Sequence, residues 1–214
     1  MAGCNALATG FFHSLTPFIM IYFESHTVRV DELFKLLLTR GSENYFSEQV
    51  TQLEHALQSA HFASLHTDNP LVIIAALLHD VGHLIESASN TAYPELGNQD
   101  HDFLGAAHLN TFGLRKDVTS LVANHVKAKR YLVTTDPEYR TNLSEASKQT
   151  LILQGGTMSE DEVSRFESEP EMDLMILLRI CDEKAKVPGL SVHPLEYYRP
   201  LIINYLEQGY TTPN

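Results

Sequence analysis

The chain has 214 residues, 43% of them hydrophobic, a length that predicts one compact domain. Its formal charge of -12 argues against a nucleic-acid or anionic membrane partner, because a strongly acidic protein is repelled by both. An anionic ligand must therefore bind at a local positive site, such as metal ions and basic side chains in a cleft. We expect a small-molecule partner.

The cysteine content and the N-terminal sequence limit the location of the protein. Cys4 and Cys181 are too few and too far apart for a disulfide framework or a thiolate metal site, which favours the reducing cytoplasm. The apolar run at 15–23 is shorter than the roughly 20 residues of a membrane span. It also lacks the basic residues that precede it in a secretory signal. We predict an N-terminal extension over residues 1–26 and one domain over 27–214.

Hydrophobic spacing predicts helices along most of the chain. The first covers 28–40, and the second begins at a Ser47 cap and has an apolar stripe from Val50 to Phe62. Residues 71–78 are almost wholly apolar, and their β-branched content would suit a strand, but the helical flanks favour a buried helix. Residues 87–100 predict a loop. Further helices are predicted over 101–109, 116–125, 144–153, 159–166, 172–184 and 194–206, so the fold class is an all-α helical bundle.

The string LLHDVGH places His79 and Asp80 together at the end of the apolar helix. Burying an imidazole and a carboxylate there is costly unless a cation pairs with both. Because a carboxylate has two oxygens, Asp80 is the candidate bridge between two ions. Nitrogen and oxygen ligands without thiolate favour iron, manganese or zinc. The remaining candidate ligands are placed on predicted helices or helix ends: His55, His101, His125 and Asp182.

Each histidine on its own is more readily explained as a hydrogen-bonded structural residue. For the adjacent pair His79-Asp80 together with the spaced histidines and Asp182, metal binding is the favoured explanation instead. The histidines at 13, 26, 61, 66, 108 and 193 have no such context, and we expect His61 and His66 on solvated or packing faces.

Five strings follow one another in a distinctive order: QLEHALQ around His55, ALLHDVGH around Asp80, NHVKAKRYLV from 124, NLSEASKQTLILQGG from 142, and RICDEKAK around Asp182. Together they resemble the HD superfamily, and within it the mixed-valent di-iron oxygenases that cleave 2-amino-1-hydroxyethylphosphonate or its trimethylammonium analogue. The resemblance covers roughly residues 44–198. It implies an HD-domain helical bundle that holds an Fe(II)/Fe(III) pair.

The resemblance also implies roles for individual residues. One iron would be held by His55, His79, Asp80 and Asp182, and the other by Asp80, His101 and His125. The phosphonate would be bound by His83, Lys129, Ser147, Thr150 and Arg179, with Gln154 in a tight Gly155–Gly156 turn beside it. Tyr45 would occupy an iron position until substrate displaces it, and Glu48 would help hold the displaced tyrosine away.

Simpler explanations remain open for several of these residues. Lys129 and Arg130 would also fit a solvated helix face, and Arg179 an ordinary salt bridge. Ser147 and Thr150 could bond the preceding turn, and Glu48 could be a capping carboxylate beside Tyr45. His83 shares a helical face with His79 only if the helix continues past Gly82, and it suits a supporting donor better than a ligand.

The activity implied is O2-dependent cleavage of the carbon–phosphorus bond of a 1-hydroxy-2-(amino or trimethylammonio)ethylphosphonate, which gives phosphate and glycine or glycine betaine. Two alternatives from other classes are an HD phosphohydrolase, in which metal-bound water attacks a phosphate ester, and a metal-stabilised binding module without catalysis. The sequence does not predict the oligomeric state.

Overall fold

The computed structural model describes residues 25–45, 48–85 and 100–208. In these segments the chain forms ten α-helices and two 3-10 turns, and the only extended pairing is an isolated bridge between Asn44 and Thr51. The helices are α1 (His26–Arg40), α2 (Gln52–His66), α3 (Pro70–Leu78), α4 (His101–Thr111), α5 (Lys116–Thr135), α6 (Pro137–Asn142), α7 (Glu145–Leu153), α8 (Glu160–Glu167), α9 (Met172–Lys184) and α10 (Arg199–Glu207). The 3-10 turns are Val81–Leu84 and Leu195–Tyr198. The all-α prediction is confirmed.

Helix α3 is the centre of the fold. Pro70 occupies its first turn and the Asn69 side chain caps it by accepting from the Leu71 amide, a favourable helix start. Every residue from Val72 to Leu78 is buried, and α2, α5 and α9 all pack against this helix. A helix apolar on all sides is typical of a bundle core. The polar pair His79-Asp80 directly follows it and therefore lies inside the bundle.

Two helix boundaries differ from the prediction. Helix α2 begins at Gln52, because Thr51 and Glu54 form a capping box that satisfies two backbone donors reciprocally. The predicted cap, Ser47, lies outside the described residues. The helix predicted to end at His125 runs on to Thr135, since its apolar stripe continues through Leu132 and Val133, which are both buried.

The C-terminal half contains one helix that we did not predict and one that is interrupted. The short helix α6 was missed, although Asp136 caps it and Pro137 starts it. The helix predicted over 194–206 is divided into the second 3-10 turn and α10, whose first turn contains Pro200. Proline has no amide hydrogen and favours a new helix start over continuation of an existing one.

Other predictions fall mainly outside the described residues. The loop predicted over 87–100 is described only at Asp100. Of the predicted extension 1–26, only Ser25, which caps α1, and His26, its first residue, are described. Within 25–45, 48–85 and 100–208, no helix is both long and apolar enough to cross a membrane.

Candidate metal centre

Four helices and the end of α3 bring six predicted ligands to one point. His55 lies on α2, His101 is the first residue of α4, His125 lies on α5 and Asp182 on α9, while His79 and Asp80 follow α3. None of the six exposes more than 7% of its surface. Because buried ionisable groups are costly unless paired, their number in one place is compatible with a bound cation.

The two oxygens of Asp80 face different histidines. Its Oδ2 lies 3.4 Å from His55 Nε2 and 3.3 Å from His79 Nε2. Its Oδ1 lies 3.3 Å from His101 Nε2 and 3.6 Å from His125 Nε2. Asp80 therefore separates two groups of donors and offers one oxygen to each.

The first group is completed by Asp182. Its Oδ1 lies 3.3 Å from His55 Nε2 and 3.6 Å from His79 Nε2. Its other oxygen, Oδ2, accepts a hydrogen bond from Arg179 Nη1. Arg179 thus leaves Asp182 one oxygen to offer a metal ion.

Backbone carbonyls orient three of the imidazoles. Nδ1 of His55 lies 2.8 Å from Ala185 O, Nδ1 of His79 2.9 Å from Ala76 O, and Nδ1 of His125 2.7 Å from Val122 O. A carbonyl only accepts, so each Nδ1 is the protonated nitrogen and donates. In a neutral ring the Nε2 lone pair then points into the centre, the arrangement usual for a histidine that binds metal.

Some of the inward-facing atoms lack the partners that buried polar atoms normally have. Nε2 of His55 and His79 are 3.2 Å apart, so the lone pairs of the two neutral rings would oppose each other. Asp80 Oδ2 and Asp182 Oδ1 are buried and accept no hydrogen bond from the described residues. Since such atoms are rarely left unsatisfied, this set of nitrogen and carboxylate oxygen fits a divalent or trivalent cation.

Burial and the close packing of these histidines and carboxylates shift their pKa values. Burial opposes protonation of His79, but Asp80 and Asp182 outweigh it and raise the pKa of His79 to about 10. Burial, with repulsion from His101 and His79, lowers the pKa of His125 to about 3. Although burial favours the neutral acid, the charge of His79 holds the pKa of Asp80 well below its usual range.

A cleft opens beside Asp80, on the side of His101 and His125. It is lined by seven of the predicted substrate or gating residues: Tyr45, His83, Lys129, Ser147, Thr150, Gln154 and Arg179. Lys186, which we did not predict, lines it as well. The structure therefore brings the predicted anion-binding residues to one wall next to the predicted metal ligands.

Lys129 is buried, with 3% of its surface exposed, so the solvated-face explanation is wrong for this residue. Its Nζ donates to Thr150 Oγ1 and to Gln154 Oε1, both at 2.7 Å. Its third N–H has no acceptor among the described residues. Burial and the nearby Arg179 lower the pKa of Lys129 to about 7.

The turn after α7 has the conformation expected for a glycine pair. Gly155 and Gly156 have φ of +97° and +68°, which residues with a side chain rarely adopt. Arg130 holds this turn, because its Nε donates to Gly156 O at 3.0 Å and its Nη2 to Glu162 Oε1 at 2.8 Å. Gln154, just before the turn, is thereby kept beside Lys129.

The two predicted hydroxyl residues behave differently. Thr150 Oγ1 donates to the preceding turn, at 3.1 Å from Ala146 O, as the simpler explanation proposed. Ser147 Oγ instead donates to Glu183 Oε2 at 2.8 Å. Glu183 also accepts from Arg179 Nη2, so Arg179 forms the salt bridges that we considered and lines the cleft too.

Tyr45 and Glu48 have different neighbours near the candidate metal ligands. The Tyr45 ring stacks on His55 with centroids 3.8 Å apart and planes 14° apart. Burial and the charges of Asp80 and Asp182 raise the pKa of Tyr45 well above its usual value, so it is a neutral phenol. Glu48 Oε1 lies 3.8 Å from Lys186 Nζ.

His83 does not share a helical face with His79, because α3 ends at Leu78 and His83 lies on the 3-10 turn. Its ring stacks on His101 with centroids 3.9 Å apart, and its Nε2 is 4.0 Å from Asp80 Oδ1. Burial and the neighbouring His101 lower the pKa of His83 well below its usual value. His83 is therefore a neutral group at the edge of the second donor set.

Three residues of the site were missed: Tyr139, Glu183 and Lys186. Glu183 and Lys186 are inside the RICDEKAK string, and this position could have indicated that they belong to the site. Their spacing also suits a solvated helix end. The Tyr139 hydroxyl accepts from Arg179 Nε at 2.7 Å. It belongs to α6, the helix that we did not predict, and no pattern indicated it.

The HD domain family model matches residues 53–166. Hydroxymethylphosphonate dioxygenase of Gimesia maris is 40% identical over 182 residues, which cover 85% of this chain and 90% of that protein. The [1-hydroxy-2-(trimethylamino)ethyl]phosphonate dioxygenase (glycine-betaine-forming) of Leisingera caerulea is 37% identical over 163 residues, 76% of this chain and 83% of that protein. An uncharacterized protein of Acanthamoeba polyphaga mimivirus is 43% identical over 181 residues, 84% of this chain and 83% of that protein.

Proposed function

We propose a function from the premise that this chain belongs to the HD-domain family and is related over most of its length to two phosphonate dioxygenases. The proposed function is O2-dependent cleavage of the carbon–phosphorus bond of a 1-hydroxyphosphonate, with release of phosphate. The first substrates to test are 1-hydroxy-2-aminoethylphosphonate and its trimethylammonium analogue, with glycine and glycine betaine as the other products. Hydroxymethylphosphonate has the same reacting group and is the third.

The proposed cofactor is a pair of iron ions in an Fe(II)/Fe(III) state. His55, His79, Asp80 and Asp182 would hold one, and Asp80, His101 and His125 the other. The two groups of Nε2 atoms on opposite oxygens of Asp80 support this division. When bound, the iron pair supplies the redox chemistry with O2, while the protein supplies position and charge.

One observation carries the proposal. The side of the cleft lined by Lys129, Arg179 and Lys186, which we call the anion-binding wall, lies directly beside the candidate metal ligands. Lys129 has one N–H left for a ligand after bonding Thr150 and Gln154, and Arg179 and Lys186 add two more positive charges to the wall. A phosphonate has three oxygens that accept charge-assisted hydrogen bonds. A small phosphonate bound to this wall would place its neighbouring hydroxyl carbon near Asp80 and the metal ligands.

We propose supporting roles for three residues around this wall. Tyr45 would cover the first metal position before substrate binds, which its stacking on His55 supports. Glu48 would act through Lys186, its ion-pair partner. His83, neutral and next to His101, would donate a hydrogen bond to the phosphonate rather than a charge.

The test is phosphate release by the iron-loaded protein from each of the three hydroxyphosphonates, in air and under argon. We expect release only with O2, and no release from 2-aminoethylphosphonate, which lacks the hydroxyl. Equal release under argon would instead identify a metal-dependent phosphohydrolase. Release from none of the hydroxyphosphonates, with full iron occupancy, would contradict the proposed substrate class.

A further inference from the structure

Glu183 follows Asp182 on α9, and its side chain is 15% exposed. We propose that Glu183 is a positioning residue, which fixes the anion-binding groups Arg179, Lys186 and Ser147 relative to one another and to α7. The inference deepens the proposed function, because the groups that it concerns are those assigned to the phosphonate. Glu183 itself does not line the cleft, so it would act through its neighbours.

Both oxygens of Glu183 are held by neighbouring groups. Oε1 accepts from the Ser144 amide at 3.0 Å and forms an ion pair with Lys186, whose Nζ is also 3.0 Å away. Oε2 accepts from Ser147 Oγ at 2.8 Å and from Arg179 Nη2. A carboxylate offers about four lone pairs, and three of them accept these hydrogen bonds, with the Lys186 ion pair beside them. The charge of Glu183 is therefore used to hold these groups.

The hydroxyl of Ser147 is directed by this carboxylate. Its single hydrogen goes to Glu183 Oε2, while its oxygen accepts from Lys186 Nζ at 2.8 Å and from Arg179 Nη2 at 3.3 Å. A hydroxyl has one donor and two acceptor sites, so all three are used. Ser147 connects the two cations to Glu183 in this arrangement, and it has no hydrogen to give a phosphonate unless this arrangement changes.

Glu183 also joins two helices of the anion-binding wall. Ser144 is the N-cap of α7, the helix that carries Ser147 and Thr150. Its amide donates to Glu183, so the carboxylate ties the start of α7 to α9, where Arg179 lies one turn earlier. Through Thr150, which accepts from Lys129, the same helix determines where the Lys129 ammonium lies. Loss of Glu183 should therefore displace several cationic groups together.

Glu183→Gln is the informative substitution. The amide has the size of the carboxylate but presents N–H donors where Arg179 and Lys186 also donate. We expect roughly tenfold or greater weakening of anion binding, the effect typical of losing a residue that orients a site. Glu183→Asp keeps the charge and should recover part of the affinity. Glu145→Gln is the matched control, since Glu145 is an exposed acid on α7 whose one ion pair with a described residue is to Lys148.

The experiment measures the dissociation constant of inorganic phosphate by calorimetry, with the iron-loaded protein, together with iron content and with KM and kcat for the hydroxyphosphonate. We expect the phosphate dissociation constant and KM to rise in Glu183→Gln, to recover partly in Glu183→Asp, and to be unchanged in Glu145→Gln, with iron content constant throughout. Phosphate affinity within about twofold of wild type in Glu183→Gln would overturn the inference, as would tighter binding from the added positive charge.

Three further outcomes are decisive. If Glu183→Gln does not fold, Ser147→Ala tests the same network, and unchanged phosphate affinity in that variant would contradict the inference. Equal loss of iron and phosphate in Glu183→Gln would assign Glu183 to the metal ligands instead. If the wild-type protein binds phosphate but releases none from the hydroxyphosphonates, the proposed function is contradicted. The role of Glu183 in anion binding can still be tested in that case.

Discussion

The two halves of the site are stabilised in opposite ways. In the metal half, which consists of the six candidate ligands, Nε2 atoms and carboxylate oxygens converge. Asp80 Oδ2 and Asp182 Oδ1 accept no hydrogen bond from any residue that the structure describes. In the anion-binding half, acceptors of the protein already hold the cations, as Glu183 holds Arg179 and Thr150 holds Lys129. The first half needs a ligand to satisfy its buried polar atoms, whereas the second is largely satisfied by its own residues.

The two halves meet at the pair Arg179–Asp182. Arg179 donates to the metal-facing carboxylate and to Glu183, so it belongs to both networks. Substitutions in the metal half should therefore change stability in a way that depends on metal, because a ligand that binds only the folded state stabilises it by mass action. Substitutions in the other half should change anion affinity and leave metal content intact.

The largest expected effect comes from Asp80→Asn. Among the described residues, Asp80 alone offers an oxygen to each donor group. We therefore expect both ions to be lost, activity to be abolished and the metal-dependent rise in melting temperature to disappear. Iron per chain and thermal unfolding with and without chelator measure this. Asp173→Asn, at an exposed position of α9, is the control. Wild-type iron content in Asp80→Asn would contradict the comparison between the halves.

A smaller effect, confined to anion binding, is expected from Lys129→Met. The Lys129 ammonium is charged below its pKa of about 7 and loses its proton above it, so the sulfate affinity of the metal-free protein should fall as the pH rises through about 7. Sulfate remains a dianion throughout, so the change would come from the protein. We expect Lys129→Met to bind sulfate roughly 10- to 100-fold more weakly below this pH, from the roughly 1.5–3 kcal/mol of a charged hydrogen bond.

Lys127→Met provides the control for that series, because Lys127 lies on the same helix and lines a different surface groove. It should retain both the affinity and the pH dependence of the wild type. A pH dependence that persists unchanged in Lys129→Met would assign the titration to another group and remove Lys129 from the anion-binding half.

The sequence predicted the two halves to different extents. The metal half was predictable, because a polar doublet after an apolar helix is costly without a cation, and the spaced histidines lay on helices with clear periodicity. The anion half depended mainly on resemblance, since Lys129 and Ser147 on their own suit a solvated face or a turn. Glu183 and Lys186 were missed because charged residues at a helix end are commonly exposed. Their burial depends on α7 packing nearby, which local sequence does not show.

Boundaries were missed for a different physical reason. Thr51 and Ser47 are both good caps, and the choice between them depends on the Glu54 carboxylate. Helix α6 has only six residues, too few for a hydrophobic period to appear. The cytoplasmic location, the extension over residues 1–26 and the loop over 87–100 stay predictions.

The smallest expected effect tests whether the anion half depends on support from outside the cleft. Arg130 does not line the cleft, but its bonds to Gly156 O and Glu162 hold the turn after Gln154. Arg130→Met should destabilise the fold by about 1–2 kcal/mol through these lost bonds and raise KM for the hydroxyphosphonate several-fold at constant iron content. Arg165→Met, which loses only a bond within its own helix, should do neither. If Arg130→Met lowers stability without changing KM, the Gln154 amide is held by Lys129 itself, and the anion half is self-sufficient.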